Sequence, residues 1–462
     1  MTDLVIANGT VVLPEGTTTA DILIEGEKIK AIVDPGTGTG DRVIDATGRI
    51  VLPGGVDPHV HLLVGFMGQR SVYDFETGGI AALRGGTTSI VDFALQRRGK
   101  SMLAGLAHRR KQADPVVTVD YGLHLIATDV NDDTLAELAG LRAAGVSSLK
   151  VYTVYEEDGL KLEDGQLYRL MQQAAKDDLM IVLHAENAGI VEALRAEAIA
   201  KGHTEPRWHA LTRPPISEIE AVSRAILFSE DTGCGVHILH LVAKGALPLV
   251  EAARKRGSKI TAETCTHFLA LTDEALERED GHNFILSPPL RDADNQAALW
   301  QALARSVLSA VTSDEVSYSA AAKAMGLPSF ADVANGAPGI EIRLPMLYTL
   351  GVDQGRISLD QFARLTSTWP ADIFGIGDRK GRIAPGYDAD IAILNPGRRQ
   401  VISPDSDYGD IGYNPYSGME VTGMIDTTLL RGRVVVENGE FLGEAGQGRF
   451  LERGTAVRPD LP

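Results

Sequence analysis

The 462-residue sequence has little cysteine, no long apolar run and no excess of basic residues. Its two cysteines, Cys234 and Cys265, show no paired spacing, which excludes a disulfide framework or a zinc knuckle and favours a reducing, cytoplasmic setting. The net charge of -18 argues against nucleic acid and anionic membranes as partners, because the electrostatic contribution to such binding would be repulsive. The first ten residues lack a basic start followed by an apolar core, so we expect neither standard export nor membrane insertion.

Strand-like apolar runs alternate with stretches of helical periodicity through the middle of the chain. In residues 164–176 and 216–229, for example, apolar residues recur every three or four positions. We predict eight strands, near residues 56–61, 87–93, 120–127, 148–154, 180–184, 236–240, 259–264 and 309–314. Repeated strand and helix units indicate a parallel α/β fold, and eight such strands close a (β/α)8 TIM-like barrel.

Short β-like runs separated by glycine-rich turns occupy both ends of the chain. They lie at residues 4–7, 11–13, 21–24, 28–33, 42–45, 389–394 and 427–437, the last broken by Arg431-Gly-Arg433. The simplest arrangement is one small β-sandwich domain built from residues 1–52 and 380–442, with the barrel in residues 53–379. We expect residues 443–462 to form an extended C-terminal tail that stays mobile or lies on a neighbouring subunit.

His59 and His61 stand at the end of the first predicted barrel strand. Side chains of residues i and i+2 on a strand point the same way, so both imidazoles can bind one metal ion, although the pair alone is equally consistent with polar strand-end residues. Four further candidate ligands follow later strand-like runs, and they are Lys150, His184, His240 and Asp314. Catalytic groups of a barrel come from the C-terminal ends of its strands, so all six side chains are expected to converge on one site.

Lys150 is the unusual member of this set, because an ammonium group with a pKa of about 10.4 cannot bind a cation. A lysine whose pKa is depressed by burial and by neighbouring cations can instead add carbon dioxide to its nitrogen. The resulting carbamate is anionic and carries two oxygens that can bridge two metal ions. A lysine chosen at random is usually exposed or salt-bridged, so this interpretation depends on the other candidate ligands.

Seven short stretches form a specific combination. They are Pro53-Gly-Gly-Val-Asp-Pro-His-Val-His61, Gly85-Gly-Thr-Thr-Ser-Ile-Val-Asp-Phe93, Ser148-Leu-Lys-Val-Tyr-Thr-Val-Tyr155, His184-Ala-Glu-Asn187, Glu263-Thr-Cys265, Ser287-Pro-Pro-Leu-Arg291 and Asn335-Gly-Ala-Pro-Gly339. Together they make the chain resemble, over nearly its full length, the cyclic amidohydrolases of the dihydropyrimidinase and hydantoinase group within the amidohydrolase superfamily.

The resemblance implies a binuclear metal centre with two divalent ions, expected to be zinc. Its ligands would be His59, His61, an N6-carboxylated Lys150, His184, His240 and Asp314. Asp314 is also the expected catalytic base, and Tyr155 the expected oxyanion donor and substrate contact. Ser287 and Asn335 match positions whose main-chain groups recognise the ring amide of the substrate. The resemblance further implies a homotetramer.

Three positions near the expected ligands need separate interpretation. His237 competes with His240; residues three apart on a strand face opposite ways, so only one should face the barrel interior, and the resemblance selects His240. Asp314 is followed by Glu315-Val-Ser, where many bacterial relatives carry His-Cys-Pro, and Thr266 stands where the family more often has proline. The carboxylate of Glu315 either raises the pKa of the base or faces away, and both departures leave the substrate open.

The predicted function is metal-dependent hydrolysis of a cyclic amide, in which a metal-bridged hydroxide opens a dihydropyrimidine or a 5-substituted hydantoin. The loop of residues 62–72 is apolar and follows the ligand strand, so it should line the pocket mouth and accept an apolar ring substituent.

Two alternatives remain. The first is an allantoinase-like or dihydroorotase-like enzyme, but dihydroorotases place an arginine just after the His-x-His pair, where this chain has Leu62-Leu63-Val64. The second is a noncatalytic dihydropyrimidinase-like scaffold that acts through oligomer contacts, and the complete ligand set argues against it.

Overall fold

The computed structural model describes residues 2–456. Its strands are β1 Leu4–Leu13, β2 Gly16–Glu25, β3 Lys28–Val33, β4 Arg42–Asp45, β5 Ile50–Pro53, β6 Gly55–Asp57, β7 Gly65–Phe66, β8 Gln69–Arg70, β9 Thr87–Leu95, β10 Asp120–Ile126, β11 Ser148–Tyr152, β12 Met180–His184, β13 Val236–Ile238, β14 Ile260–Cys265, β15 Ala310–Thr312, β16 Ile391–Val401, β17 Glu420–Leu430, β18 Arg433–Glu437 and β19 Glu440–Phe441.

The α-helices of the same residues are α1 Thr77–Arg84, α2 Met102–Ala113, α3 Asp132–Ala136, α4 Leu138–Ala143, α5 Asp164–Lys176, α6 Ala188–Ala200, α7 Arg207–Leu211, α8 Pro215–Thr232, α9 Leu247–Lys255, α10 Thr266–Ala270, α11 Ala293–Ala304, α12 Ala320–Ala324, α13 Arg343–Leu347, α14 Leu359–Ala363 and α15 Trp369–Ile373. Helices α5 and α8 confirm the two stretches whose apolar periodicity predicted helix. Among residues 2–456, no helix combines the length and the hydropathy needed to cross a lipid bilayer.

Eight parallel strands form the barrel, in the order β6, β9, β10, β11, β12, β13, β14 and β15. All eight predicted strands are confirmed, although the first ends at Asp57 rather than at His61. The first and eighth strands meet just beyond their regular ends, where Val60 bridges Glu315 and the main-chain N–H of Ser313 donates to Asp57 Oδ2 at 3.2 Å. This contact nearly closes the barrel and gathers the C-terminal ends of the strands around one cavity.

Both chain ends contribute to one nine-stranded sheet, in the order β19, β18, β17, β16, β5, β1, β2 and β3, with β4 beside β1. β1 is a single strand where the sequence predicted two short runs, because a bulge at Asn8, with a φ of 62°, interrupts its register without ending it. Its first half pairs with β4 and its second half with β5. The fold class predicted from the sequence is confirmed, whereas the proposed domain boundaries stay a prediction.

Residues 443–456 lie on the barrel of their own chain, at the N-terminal ends of its strands. The N–H of Tyr121 donates to Arg449 O, and the N–H of Leu451 donates to Tyr121 O. Arg453 is buried there and donates to Ser148 Oγ at 2.9 Å and to Leu123 O. Residues 443–456 are therefore held against their own barrel by a buried arginine, and the extended tail with its contact to a neighbouring subunit stays a prediction. Residues 457–462 lie outside the described residues.

Candidate active site

A cavity of about 660 Å³ opens at the C-terminal ends of the barrel strands, and every site residue predicted from the sequence lines it. These residues are His59, His61, Lys150, Tyr155, His184, His240, Ser287, Asp314 and Asn335. A volume of this size accommodates a small ring together with a substituent.

Three of these residues have an unusual backbone conformation directly after a strand. His240, Asp314 and Tyr155 have φ values of 36°, 48° and 66°, a region that residues other than glycine rarely occupy. His240 follows β13, Asp314 follows β15 and Tyr155 follows β11. Such conformations cost about 1 to 3 kcal/mol each and concentrate at functional sites, where they turn side chains into the cavity.

His59, His240 and Asp314 form a cluster whose nitrogen and oxygen atoms lie within 4.8 Å of one another. His59 Nε2 lies 3.0 Å from Asp314 Oδ1, and His61 Nε2 lies 3.5 Å from the same oxygen. The 3.0 Å approach lacks hydrogen-bond geometry, so His59 Nε2 and also His240 Nδ1 are buried nitrogens without a hydrogen-bond partner among the described residues. Imidazole and carboxylate groups with unused lone pairs in a buried cluster are a donor set that fits a divalent metal ion.

Two buried carboxylates fix the tautomers of His59, which belongs to the cluster, and of His184, which lies beside it. Glu263 Oε1 lies 2.5 Å from His59 Nδ1, and Glu186 Oε2 lies 2.7 Å from His184 Nε2. Burial would raise the pKa of Glu263, but His59 and His237 lower it to about 2. An ionised carboxylate can only accept, so it keeps a proton on the facing nitrogen and turns the other nitrogen toward the cavity. His59 Nε2 is left without a hydrogen-bond partner among the described residues, whereas His184 Nδ1 lies 2.9 Å from His240 Nε2.

Lys150 is fully buried beside this cluster. Burial lowers the pKa of its ammonium group to about 7, although Asp314 and Glu263 oppose the shift. Its Nζ lies 5.3 Å from the ring centroid of Phe93 and 4.4 Å from that of Tyr152. A lysine held in this way has a large neutral fraction at physiological pH, and only the neutral amine can add carbon dioxide.

The charge of Asp314 is stabilised by its histidine neighbours. Burial would raise the pKa of this carboxyl group, but the imidazoles of His59, His61 and His240 close to it hold the pKa well below its usual value. Asp314 is therefore ionised at neutral pH and can accept a proton.

Tyr155 projects from the loop after β11 between the histidine cluster and a buried arginine. Its ring centroid lies 5.3 Å from that of His184, and Arg213 Cζ lies 5.6 Å from the Tyr155 ring centroid. Burial raises the pKa of the hydroxyl, which therefore remains a protonated donor. Arg213 also donates to Glu186 Oε2 at 2.7 Å, so the same guanidinium orders both the His184 partner and the tyrosine.

The segments that carry Ser287 and Asn335 are tied together below the cavity. Ile285 O accepts from the N–H of Gly336 at 3.1 Å and from Lys323 Nζ at 2.8 Å. Lys323 is fully buried and also donates to Asn283 O at 3.1 Å. Lys323 thus fixes the main chain leading into Ser287, and the N–H of Gly336 joins the Asn335 segment to the same carbonyl group.

Sequence reasoning did not assign roles to Glu186, Arg213, Glu263 or Lys323. Glu263 and Glu186 stand in the stretches Glu263-Thr-Cys265 and His184-Ala-Glu-Asn187, and an acidic residue in or just after an apolar strand is the signal that could have identified them. Arg213 and Lys323 lie on helical or loop segments far from these motifs, so nothing in their neighbourhood in the sequence distinguishes them.

The alternation argument used for His237 and His240 is wrong. His237 lies inside the barrel, where its Nε2 is 3.1 Å from Glu263 Oε2 and its Nδ1 is 2.7 Å from Thr261 Oγ1. β13 ends at Ile238, and the positive φ of His240 breaks the alternation of an extended strand. The His237 ring and the main-chain N–H of His240, which donates to Glu263 Oε1 at 3.3 Å, therefore contact the same glutamate, and of the two histidines only His240 lines the cavity.

The side chain of Glu315 faces away from the cavity. Its Oε2 accepts from the N–H groups of Gly339 and Ile340 at 2.7 and 3.0 Å, and burial raises the pKa of this carboxyl group to about 7. The loop of residues 62–72 folds into the hairpin β7–β8, and Leu63, Val64, Phe66 and Met67 line the cavity as predicted. Leu62 does not, because it packs under the loop against Gly78.

The comparison with protein families identifies the group to which these features belong. Residues 50–435 match the model of the amidohydrolase family. The chain belongs to the amidohydrolase family. This family is metal-dependent, in agreement with the donor set around Asp314.

Within the amidohydrolase family the chain belongs to the hydantoinase and dihydropyrimidinase group. It is 40% identical to a D-hydantoinase from Ralstonia pickettii, over 98% of this chain and 99% of that one. A crystal structure of a dihydropyrimidinase from Brevibacillus agri is 40% identical, with a TM-score of 0.97 and 99% and 100% of the two chains covered. An L-hydantoinase from Arthrobacter aurescens, 31% identical over 98% and 100% of the two chains, has a TM-score of 0.91. Relatives named D-hydantoinase and L-hydantoinase therefore both resemble this chain, and the fold does not distinguish the two stereochemical types.

Proposed function

We propose that this amidohydrolase opens the ring of a cyclic amide whose ring itself is uncharged, either a 5-substituted hydantoin or a dihydropyrimidine. The single observation that carries the proposal is the buried cluster of His59, His240 and Asp314, with unpartnered nitrogens inside a cavity sized for a small substituted ring. The names of the relatives, D-hydantoinase and dihydropyrimidinase, support this substrate class.

The metal centre that we propose holds two divalent ions, with zinc preferred by imidazole and carboxylate donors. Its ligands would be His59, His61, His184, His240, Asp314 and a carboxylated Lys150. When bound, such ions lower the pKa of water and polarise a carbonyl group. Lys150 suits the bridging role because about half of its amine is neutral near pH 7, where its pKa lies, and because its side chain is buried.

The protein groups then have distinct roles. Asp314 takes the proton of the attacking water and passes it to the ring nitrogen as the carbon–nitrogen bond breaks, which leaves a carboxylate and a free amide nitrogen. Tyr155 donates a hydrogen bond to the developing oxyanion, a contribution of about 3 to 4 kcal/mol for a well-placed donor. Ser287 and Asn335 orient the ring amide through their main-chain groups. Lys323 supports the segment before Ser287, and the Gly336 N–H ties the Asn335 segment to it at Ile285 O.

A substrate panel combined with elemental analysis tests this proposal. Hydantoins with alkyl or aryl groups at carbon 5, dihydrouracil, allantoin and dihydroorotate would be assayed with protein purified in the presence of zinc. We expect two metal ions per chain and hydrolysis of the substituted hydantoins. Faster turnover of dihydroorotate or allantoin than of every other ring would assign the enzyme to the first alternative, and a metal-loaded protein without activity on any ring would indicate the scaffold.

Oligomeric state and location remain predictions from the resemblance. We propose a cytoplasmic homotetramer without nucleic-acid or membrane partners. Light scattering after size-exclusion chromatography measures the molar mass directly, and a mass of one or two chains would contradict the tetramer.

A further inference from the structure

The active-site cavity extends well beyond the metal-binding cluster. On one side it is bounded by the loop after β9 and by helix α2, through Leu95, Arg97, Gly105, His108, Arg109 and Gln112. We call this part the α2 lobe. The apolar hairpin residues Leu63, Val64 and Phe66 also line the cavity, so a substituent that leaves the ring meets both apolar and polar surface.

Two cationic or ionisable side chains of the α2 lobe have no partner. Arg97 and His108 are exposed, and within residues 2–456 neither side chain makes a hydrogen bond or an ion pair. Arg109 differs, because its guanidinium donates to Asp92 Oδ1 through Nε at 2.7 Å and to Leu62 O. The charge of Arg109 is thus matched by Asp92, whereas the charge of Arg97 is available.

No acidic group of the cavity balances Arg97. Among the described residues the cavity is lined by two carboxylates, Asp314 in the histidine cluster and Asp158 on the loop after Tyr155. Asp158 also lines a small neighbouring pocket together with Arg213, which places it on the Tyr155 side. The acids closest in sequence to the lobe are Asp92, which pairs with Arg109, and Asp114, which pairs with Arg110 and accepts from the Tyr121 hydroxyl. Asp129 and Glu137 accept from the N–H groups of Gly99 and Leu103, and none of these four acids lines the cavity. The cavity beside Arg97 therefore carries positive charge that no carboxylate of the described residues neutralises, although the chain as a whole has a net charge of -18.

We propose, on the basis of the ring-opening activity proposed above, that the α2 lobe binds an anionic group at the far end of the ring substituent. The preferred substrate class is then a cyclic amide whose substituent has an apolar stem and a terminal carboxylate. Leu63, Val64 and Leu95 contact the stem, and Arg97, assisted by His108 and the Gln112 amide, binds the carboxylate. This position differs from that of a carboxylate attached directly to the ring, which would lie beside the histidine cluster.

The test compares two substrates that differ only in charge, 5-(2-carboxyethyl)hydantoin and its neutral amide 5-(2-carbamoylethyl)hydantoin. A second pair, 5-(4-carboxyphenyl)hydantoin and 5-(4-carbamoylphenyl)hydantoin, places the charged group farther from the ring. We expect kcat/KM for the acid to exceed that for the amide about threefold to fivefold at low ionic strength, the range of a solvent-exposed ion pair. The ratio should fall in 0.5 M salt, since exposed charges are screened over about 4 to 5 Å at that concentration.

Arg97→Gln and His108→Gln are the informative variants, and Arg98→Gln is the matched control. Arg98 is an exposed neighbour of the same charge that does not line the cavity. The proposal requires the acid-to-amide ratio to drop toward one in Arg97→Gln and to stay at the wild-type value in Arg98→Gln. An acid-to-amide ratio of one or less in the wild type overturns the proposal. So does a ratio that Arg97→Gln and Arg98→Gln lower equally. Hydrolysis of the neutral amide reports separately on the ring-opening activity, so failure of that activity is distinguishable from failure of the lobe.

Discussion

His59 Nδ1 lies 2.5 Å from Glu263 Oε1, and the second oxygen of this carboxylate lies 3.1 Å from His237 Nε2. A buried glutamate below the cluster therefore determines which nitrogen of His59 faces Asp314. Carboxylates that orient histidine ligands in this way fix the tautomer and raise the basicity of the ring.

Glu263→Gln tests this relationship. Glutamine keeps the volume but loses the charge, and its amide can donate as well as accept, so the Nδ1 proton of His59 is no longer enforced. We expect metal affinity or activity to fall about 10- to 100-fold. Competition with a chelator measures the affinity, and Glu197→Gln on the exposed face of α6 is the control. Unchanged metal affinity and activity would assign Glu263 a packing role only.

Lys150→Ala should lose metal and activity together. The substitution removes the nitrogen that we propose to be carboxylated, and short carboxylic acids added to the variant should restore part of both, because they can supply the missing bridge. Lys323→Met is the matched control for metal content alone, since Lys323 is equally buried and its pKa is also lowered to about 7 by burial, and this variant should keep its metal. Full metal content in Lys150→Ala would contradict the ligand role.

Asp314→Asn should separate metal binding from proton transfer. Asparagine retains one coordinating oxygen but cannot accept the proton, so we expect much of the metal to remain while kcat falls about 100-fold or more. Glu315→Gln provides the comparison, because this neighbouring carboxylate faces Gly339 and Ile340, and its kcat should stay within about threefold of wild type. An Asp314→Asn enzyme with its metals and nearly normal kcat would show that another group is the base.

Lys323 should make the stability of the protein increase with pH. Burial lowers the pKa of its ammonium group to about 7, so between pH 7 and about 10.4 the unfolded chain binds a proton that the native state does not. Stability therefore rises through that window, with a slope of up to about 1.4 kcal/mol per pH unit. Urea unfolding of wild type and Lys323→Met at several pH values gives the free energy of unfolding of each protein. The difference between the two values at each pH removes the contributions of other titrating groups. A pH-independent difference would mean that the pKa of Lys323 is the same in both states.

Lys323→Met should also raise KM more than it lowers kcat. The lysine anchors Ile285, two residues before Ser287, while the metal-binding cluster lies on other strands. Steady-state kinetics on one hydantoin measures the changes in KM and kcat separately. Equal changes in both parameters, or a loss of metal, would show that the effect is not confined to the substrate-binding segments.

The sequence by itself determined the barrel and the set of residues that the cavity gathers. Period-two and helical patterns are local, so β10, β12, α5 and α8 could be placed from residues within a few positions of one another. Because parallel strands present their C-terminal ends on one side, His59 and Asp314 could be predicted to meet although 255 positions separate them, as 314 minus 59 gives.

Only the tertiary structure decided what supports these residues. The pairing of Glu263 with His59, of Arg213 with Glu186 and of Lys323 with Ile285 joins segments whose side-chain directions depend on the closed barrel. The positive φ of His240 interrupts the side-chain alternation that the local pattern predicted for this strand. The burial of Arg453 holds residues 443–456 against the barrel of their own chain. Hydrogen bonds to buried charges depend on distances and directions in the folded chain, which no local spacing encodes. For this reason the cavity residues were predictable from the sequence, while the buried residues that orient them were not.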